Sequence, residues 1–255
     1  MPPIRDEGVC VRQWDWSETS QTACVLTRDH GLVRCLAKGS KRERAPYSGG
    51  LEVLARADLV WLPKPAGQLA LLTAWDLAET YPRCRAELDR FYAGLCLADL
   101  VGQAVQDHDP HPGLYAALVD ALRAIGSPDA DPGREPMVRA LLGFLWTLLV
   151  ETGHRPELDR DAGSGEDLAT RTTMGFSPDL GGVVPDPGPG GSTRAWRVRR
   201  ETIELLRRVA TSGSPPPVTP TDALERGARL LASYAAHRLE VDLPTLDLVF
   251  GRASG

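Results

Sequence analysis

The hydrophobic period of the chain changes once, at Tyr81-Pro82, and that change dictates a two-part fold. Before it, apolar residues come in short β-forming runs divided by turn residues. After it, they recur every three or four residues. Val9–Trp14, Gln21–Thr27 (QTACVLT), Leu32–Ala37 (LVRCLA), Leu51–Leu62 (LEVLARADLVWL) and Gln68–Trp75 (QLALLTAW) read as five strands, the last two joined by a turn over Pro63–Gly67. Five short strands over residues 1–80 predict a small closed or partly closed barrel. LEVLARADLV is also rich in Leu and Ala, so a helix is the alternative there.

Residues 81–255 predict a helical domain, making the chain α+β. In RCRAELDRFYAGLCLADLVGQAV, Leu88, Phe91, Tyr92, Leu95, Cys96 and Leu100 fall at helical spacing. GLYAALVDALRAI is a second helix, ended by Gly126-Ser127-Pro128. A third, MVRALLGFLWTLLVETG after Pro136, is apolar nearly all round, which places it at the centre of a helical core. Gly153 suits its C-terminal cap. Residues 156–195 are rich in Gly, Pro and Asp and predict a long irregular loop. Helices resume over Val198–Ala210 and, beyond a Pro-rich linker at residues 211–220, over Thr221–Arg238, where Thr221 or Asp222 can cap. The end, LPTLDLVFGRASG, reads as an extended tail docked through Leu246, Leu248 and Phe250.

No apolar run approaches the ~18 residues of a membrane helix. The start, MPPIRDEGVC, lacks the layout of a signal peptide, so a cytoplasmic protein with no membrane partner is expected. Cys10, Cys24, Cys35, Cys84 and Cys96 form no CxxC pair. They read as buried small apolar residues, with a reactive thiol the alternative.

Nothing in the chain spells a phosphate-binding loop, a nucleophile elbow or a zinc-protease helix, and no enzyme is expected. The histidines are His30, His108, His111, His154 and His237. The DHDPH run around His108 and His111 has superficial metal spacing, but an exposed loop explains it better. His154 falls just beyond a helix C-terminus, a structural place.

Charge is the informative quantity. The net charge of −5 hides a window, residues 28–44, in which six cations face two acids for a net +4, leaving −9 elsewhere. Within AKGSKRERAPYSGG, Lys38, Lys41, Arg42 and Arg44 follow a strand end and precede Tyr47, with Arg28 a weaker member of the set. Such a loop suits a phosphate backbone, because cationic side chains displace condensed counterions without reading sequence. A solvated basic turn is the plain alternative. Trp14, Trp16, Trp61 and Trp75 are available for base stacking, but the barrel core is the better explanation of each. On a helical wheel Arg197, Arg200, Arg207 and Arg208 share one face opposite Val198, Leu205 and Val209. Glu201 and Glu204 on that face make intrahelical ion pairs an equal explanation.

VLTRDHGLVRCLAKGSKRERAPYSGGLEVLARADLVWL, LLTAWDLAETYPRCRAELDRFYAGLCLADLV, ETGHRPELDR and FSPDLGGVV come in an order that resembles the bacterial DNA repair and recombination mediator family RecO, over about residues 8–210. No single motif is decisive; the ordered series is. The resemblance implies an N-terminal OB-fold barrel and an α-helical domain. It also implies binding to single- and double-stranded DNA, annealing of complementary strands, contact with the C-terminal tail of single-stranded-DNA-binding protein, and pairing with RecR to load RecA. It makes Lys38, Lys41, Arg42 and Arg44 the DNA-facing residues and calls for no catalytic residue and no cofactor.

Many relatives carry a four-cysteine zinc knuckle where this chain has Asp161, Ser164, Pro185 and Gly188, which cannot make a thiolate site, so no structural zinc is expected. Packing of Phe176, Val183 and Val184 on the helices is the expected substitute, with a mobile loop the alternative. The alternative to a DNA-binding mediator is an adaptor whose helical domain grips the acidic, apolar tail, with Arg197, Arg200, Arg207 and Arg208 as a basic rim.

Overall fold

The strands of the N-terminal part curl around one small barrel. The computed structural model describes residues 2–42, 47–48, 51–65, 67–168, 172–188 and 195–251. In chain order the strands are β1 (Ile4–Asp15), β2 (Gln21–Thr27), β3 (Gly31–Ala37), β4 (Tyr47–Ser48), β5 (Arg56–Leu62) and β6 (Ala70–Glu79). β1, β2 and β3 form an antiparallel meander, β5 pairs with β1 and β6 with β5. β6 then closes on β3 in parallel, with Cys35, Leu36 and Ala37 beside Ala70, Leu71 and Leu72. The result is a closed five-stranded barrel, with β4 added to β6 by Tyr47 beside Trp75.

Alternation along the strands sorts two cores. Cys10, Ala23, Val25, Val33, Cys35, Leu59, Trp61, Leu72 and Trp75 fill the barrel. Val9, Val11, Cys24, Leu26 and Leu32 point outward, yet they join the core of the helical part. Burial on both faces explains why QTACVLT reads as an almost continuous apolar run. The strand expected from Leu51 starts only at Arg56, because Leu54 takes a left-handed turn (φ 65°) first.

The helical part begins with α1 (Pro82–Ala86) and α2 (Leu88–Ala104), broken at Glu87, whose backbone is extended. The break rotates α2 from its expected face. Ala93, Cys96, Leu97, Leu100 and Val101 are buried, while Leu88 and Phe91 are exposed. Gly94 lies under Leu54, where a Cβ would come within 2.6 Å of a Leu54 methyl, so small residues set how closely α2 meets the barrel. α3 (Pro112–Gly126) and α4 (Arg134–Glu151) follow, and α4 is the central helix its composition predicts. Arg90, buried in α2, donates 2.6 Å to the Ile125 carbonyl and 2.7 Å to that of Asp131, satisfying one group in the last turn of α3 and one in the loop beyond it.

Residues 156–195 depart from the expected loop. They carry β7 (Thr173–Ser177) and β8 (Gly182–Val184), and with β9 (Trp196–Arg199) these form a three-stranded antiparallel sheet. Few apolar residues are needed because the sheet buries one face. Phe176 stacks on Trp196 at 6.0 Å and meets Tyr234 edge-on at 5.2 Å. Phe176 and Val183 are fully buried, as expected of the packing that holds this segment.

The next helix, α5 (Arg200–Ser212), starts two residues later than its periodicity suggests, because Arg197 and Val198 are drawn into β9 opposite Gly175 and Met174. α6 (Thr221–Leu239) has Pro220 at its cap and no side-chain cap, and Asp222 pairs with Arg226 instead. The expected extended tail is a short helix, α7 (Pro244–Phe250), whose final carbonyls accept from Arg134 and Arg229. Among the described residues no helix is long and apolar enough to cross a membrane.

Candidate nucleic-acid interface

The basic loop leaves β3 by a tight turn. Gly39 takes a left-handed backbone (φ 74°), Ser40 N donates to Ala37 O and Arg42 N to Gly39 O. The turn is fastened to the β1–β2 turn, residues 16–20. Gly39 N donates to Ser20 Oγ at 3.0 Å, Lys41 N to Thr19 O at 3.1 Å, and Ser40 Oγ to Gln21 Oε1 at 2.9 Å. Trp16 N donates to Ser20 O at 2.9 Å, which closes that second turn. Two loops at one end of the barrel are thereby one surface.

Lys38, Lys41 and Arg42 are exposed on it. Lys41 Nζ lies 2.6 Å from Asp15 Oδ1. Lys38 and Arg42 have no acidic partner among the described residues. Arg44 lies outside the described residues. Arg28 is placed elsewhere, in the β2–β3 turn at the opposite end of β2, where it pairs with Asp29 and Glu7, each at 2.9 Å. The bond from Asp29 raises the Arg28 pKa further and holds the guanidinium charged. Tyr47 is buried in the barrel and donates its hydroxyl to Leu72 O at 2.9 Å, so it is withdrawn from the surface.

The four tryptophans divide cleanly. Trp61 and Trp75 are barrel core, whereas Trp14 is 49% and Trp16 63% exposed. Sequence reasoning favoured the barrel core for all four, and the exposure of Trp14 and Trp16 corrects it. The available signal was WDWSET, in which both exposed rings flank a strand end at Asp15.

The arginines expected to line one helix are dispersed. Arg197 sits on β9 against Asp186 at 3.1 Å, Arg200 pairs with Glu204 at 2.6 Å, and Arg207 donates to Leu158 O and pairs with Asp159 at 3.2 Å. Arg208 is exposed on α5. The helical wheel fails at Arg197 because strand pairing takes that residue before the helix starts. Beside Arg207, a depression of about 390 Å³ reaches Trp146, with the Arg155 guanidinium 5.9 Å above its ring.

At the positions where the resemblance implies zinc ligands, two turns are closed by hydrogen bonds. Asp161 accepts from Gly163 N at 2.9 Å and from Ser164 Oγ at 2.9 Å, while Asp186 accepts from Gly188 N at 3.0 Å. Among the described residues no three metal-ligating side chains gather.

A closed five-stranded barrel of this strand order, set on a helical domain, is an OB-fold, the class whose ligand face lies on its second and third strands and adjoining loops. The family model for the recombination protein O N terminal matches residues 1–81, and that for its C terminal matches residues 85–247. Relatives named DNA repair protein RecO are 30% identical over 213 residues in Rhodopirellula baltica (83% of this chain, 77% of the relative) and 27% identical over 239 residues in an Anaeromyxobacter species (91% of each). One from a Nocardioides species is 27% identical over 250 residues, covering 96% of this chain and 98% of the relative. The chain belongs to the RecO family of DNA repair proteins.

Proposed function

We propose that this chain is a non-enzymatic recombination mediator of the cytoplasm that binds DNA through the loop after β3, anneals complementary single strands and helps load RecA. The observation that carries the reading is the exposure of Lys38 and Arg42, without acidic partners among the described residues, on the fused end of an OB-fold. Annealing asks only that the charge of two strands be neutralised while their bases stay accessible, which cations on short turns provide. Lys41 and Arg44 complete the contact set, Arg28 is a remote member at most, and RecR and single-stranded-DNA-binding protein are the partners in this reading.

Oligonucleotide binding across a salt series tests it. Changing Lys38, Lys41, Arg42 and Arg44 together to Ala should flatten the log affinity–log salt slope by up to roughly 3, at about 0.7 per lost single-strand contact. A quadruple variant that binds single-stranded DNA as the parent does would overturn the assignment.

A second reading has one specific support. The Arg155–Trp146 pair beside Arg207 offers cations next to an apolar ring, the chemistry that suits an acidic, apolar protein tail. An adaptor of this kind would bind the tail of single-stranded-DNA-binding protein through its helical domain, with Arg207, of the four arginines, lining that depression. Tail-peptide binding that survives the barrel substitutions but not Arg155→Ala would favour it.

A further inference from the structure

The register of the barrel builds a surface that charge alone does not reveal. Trp14 stands opposite Thr22 on β2, Thr22 stands opposite Leu36 on β3, and Leu36 stands beside Leu71 on β6. Residues paired in this way share one face of a sheet. The row is therefore an exposed indole continued by three half-buried side chains across the outside of the barrel. In one direction this face gives way, just past the end of β3, to the exposed Lys38. Two residues along β3 in the other direction it carries Arg34, with Arg12 in the matching place on β1.

These flanks differ in charge. Arg34 Nε donates 2.8 Å to Asp107, and Arg12 lies 3.4 Å from Asp99, so acids of the helical domain neutralise the cations on that side. Lys38 has no such partner among the described residues. The face thus runs from a neutralised edge, over an apolar row, to an open cationic edge. Trp16, two residues beyond Trp14, stands in the turn bonded to the loop that carries Lys38 and Arg42.

A cationic loop alone holds duplex and single strand alike, because both present phosphates. An exposed aromatic ring beside it discriminates, since only an unpaired base has a free face to stack. We infer that Trp14 and Trp16 are a base-stacking platform that makes the outer face of β1–β2–β3 selective for an unpaired DNA strand, its phosphates held by Lys38 and Arg42. The inference rests on the proposed DNA contact at this end of the barrel and adds the single-strand preference to it. Neither indole belongs to the barrel core, so a core role does not account for their place.

The test uses the full chain, an oligo-dT of about 16 nucleotides and a duplex of equal length. Trp14→Ala with Trp16→Ala should weaken oligo-dT binding roughly tenfold or more, leave duplex binding within about twofold, and leave the salt slope unchanged. Trp14→Phe with Trp16→Phe should retain most of the affinity while losing the DNA-dependent quenching of tryptophan fluorescence, as Phe still stacks but does not emit at that wavelength. A melting curve like the parent's confirms that either variant is folded.

Unchanged oligo-dT affinity in the alanine variant would sink the platform, as would an equal fall for duplex and single strand. If Lys38→Ala with Arg42→Ala still flattens the salt slope in that case, the proposed contact stands and the platform alone fails. If neither variant changes binding, both fall.

Discussion

Lys41 Nζ lies 2.6 Å from Asp15 Oδ1, tying the basic loop to the end of β1. The carboxylate is mostly exposed, and such surface pairs contribute about 0–1 kcal/mol, so a phosphate competes for the ammonium easily. Asp15→Asn should therefore strengthen single-strand binding a few-fold at low salt, while Lys41→Ala should weaken it and flatten the salt slope by about 0.7. Anisotropy titrations at two salt concentrations read this directly. An unchanged slope would remove Lys41 from the contact set.

At Gly31 the barrel lies tight against the helical domain. Its backbone is left-handed (φ 67°), and a Cβ there would meet the Asp109 backbone at 2.3 Å. Nothing on either side is a flexible side-chain end, so the whole seam would have to shift. Gly31→Ala should cost about 2 kcal/mol or more in urea unfolding. A loss below about 0.5 kcal/mol would mean that the two parts move apart readily.

Glu79 predicts an acid-sensitive joint. Its carboxylate accepts from Arg123 Nε and Nη2 at 2.8 and 2.9 Å and from Arg56 Nε at 3.0 Å, joining β6 and β5 to α3. Those bonds, Arg123's first, hold the carboxyl below its ordinary value of 4.5. A group lowered on folding contributes stability above its unfolded pKa and loses it as pH falls through the folded one. The contribution is therefore whole at neutral pH and fades below 4.5. Glu79→Gln should be about 1.5 kcal/mol less stable at pH 7 and should flatten the stability loss between about pH 5 and pH 3. Parallel curves for parent and variant would count against the joint.

All five cysteines are buried, and burial pushes the Cys35 and Cys96 thiols up to about 12 and those of Cys24 and Cys84 to about 11. The thiolate is the reactive form, so the folded chain should resist an aromatic disulfide reagent at pH 8 and release its colour only on unfolding. A fast-reacting equivalent in the native protein would revive the reactive-thiol alternative.

The parts legible in the sequence are those whose environment is uniform along their length. β2 and β3 read correctly because each is buried along almost its whole run, and α4 because nearly every side of it meets another element. Elements decided by a distant partner were not legible. Arg197 carries a helical pattern but obeys Gly175 across the small sheet. Leu88 looks like core, yet the kink at Glu87 turns it to solvent. Trp14 and Trp61 are alike by composition, and strand register places one outside the barrel and the other within. The site was legible as charge, since Lys38, Lys41 and Arg42 do share one end, while its aromatic half waited for the register.

The closing strand of the barrel has a bearing on that loop. Ala37 pairs with Leu72 and Tyr47 with Trp75, so residues 38–46 leave and return to the same strand at points three residues apart, about 10 Å along β6. Both ends of the loop are therefore set by the barrel itself, and the cost of bringing them together is met when the barrel forms. A loop of this kind acts as a short tether with both ends clamped: lengthening it by a flexible insert would dilute its cations rather than extend their reach.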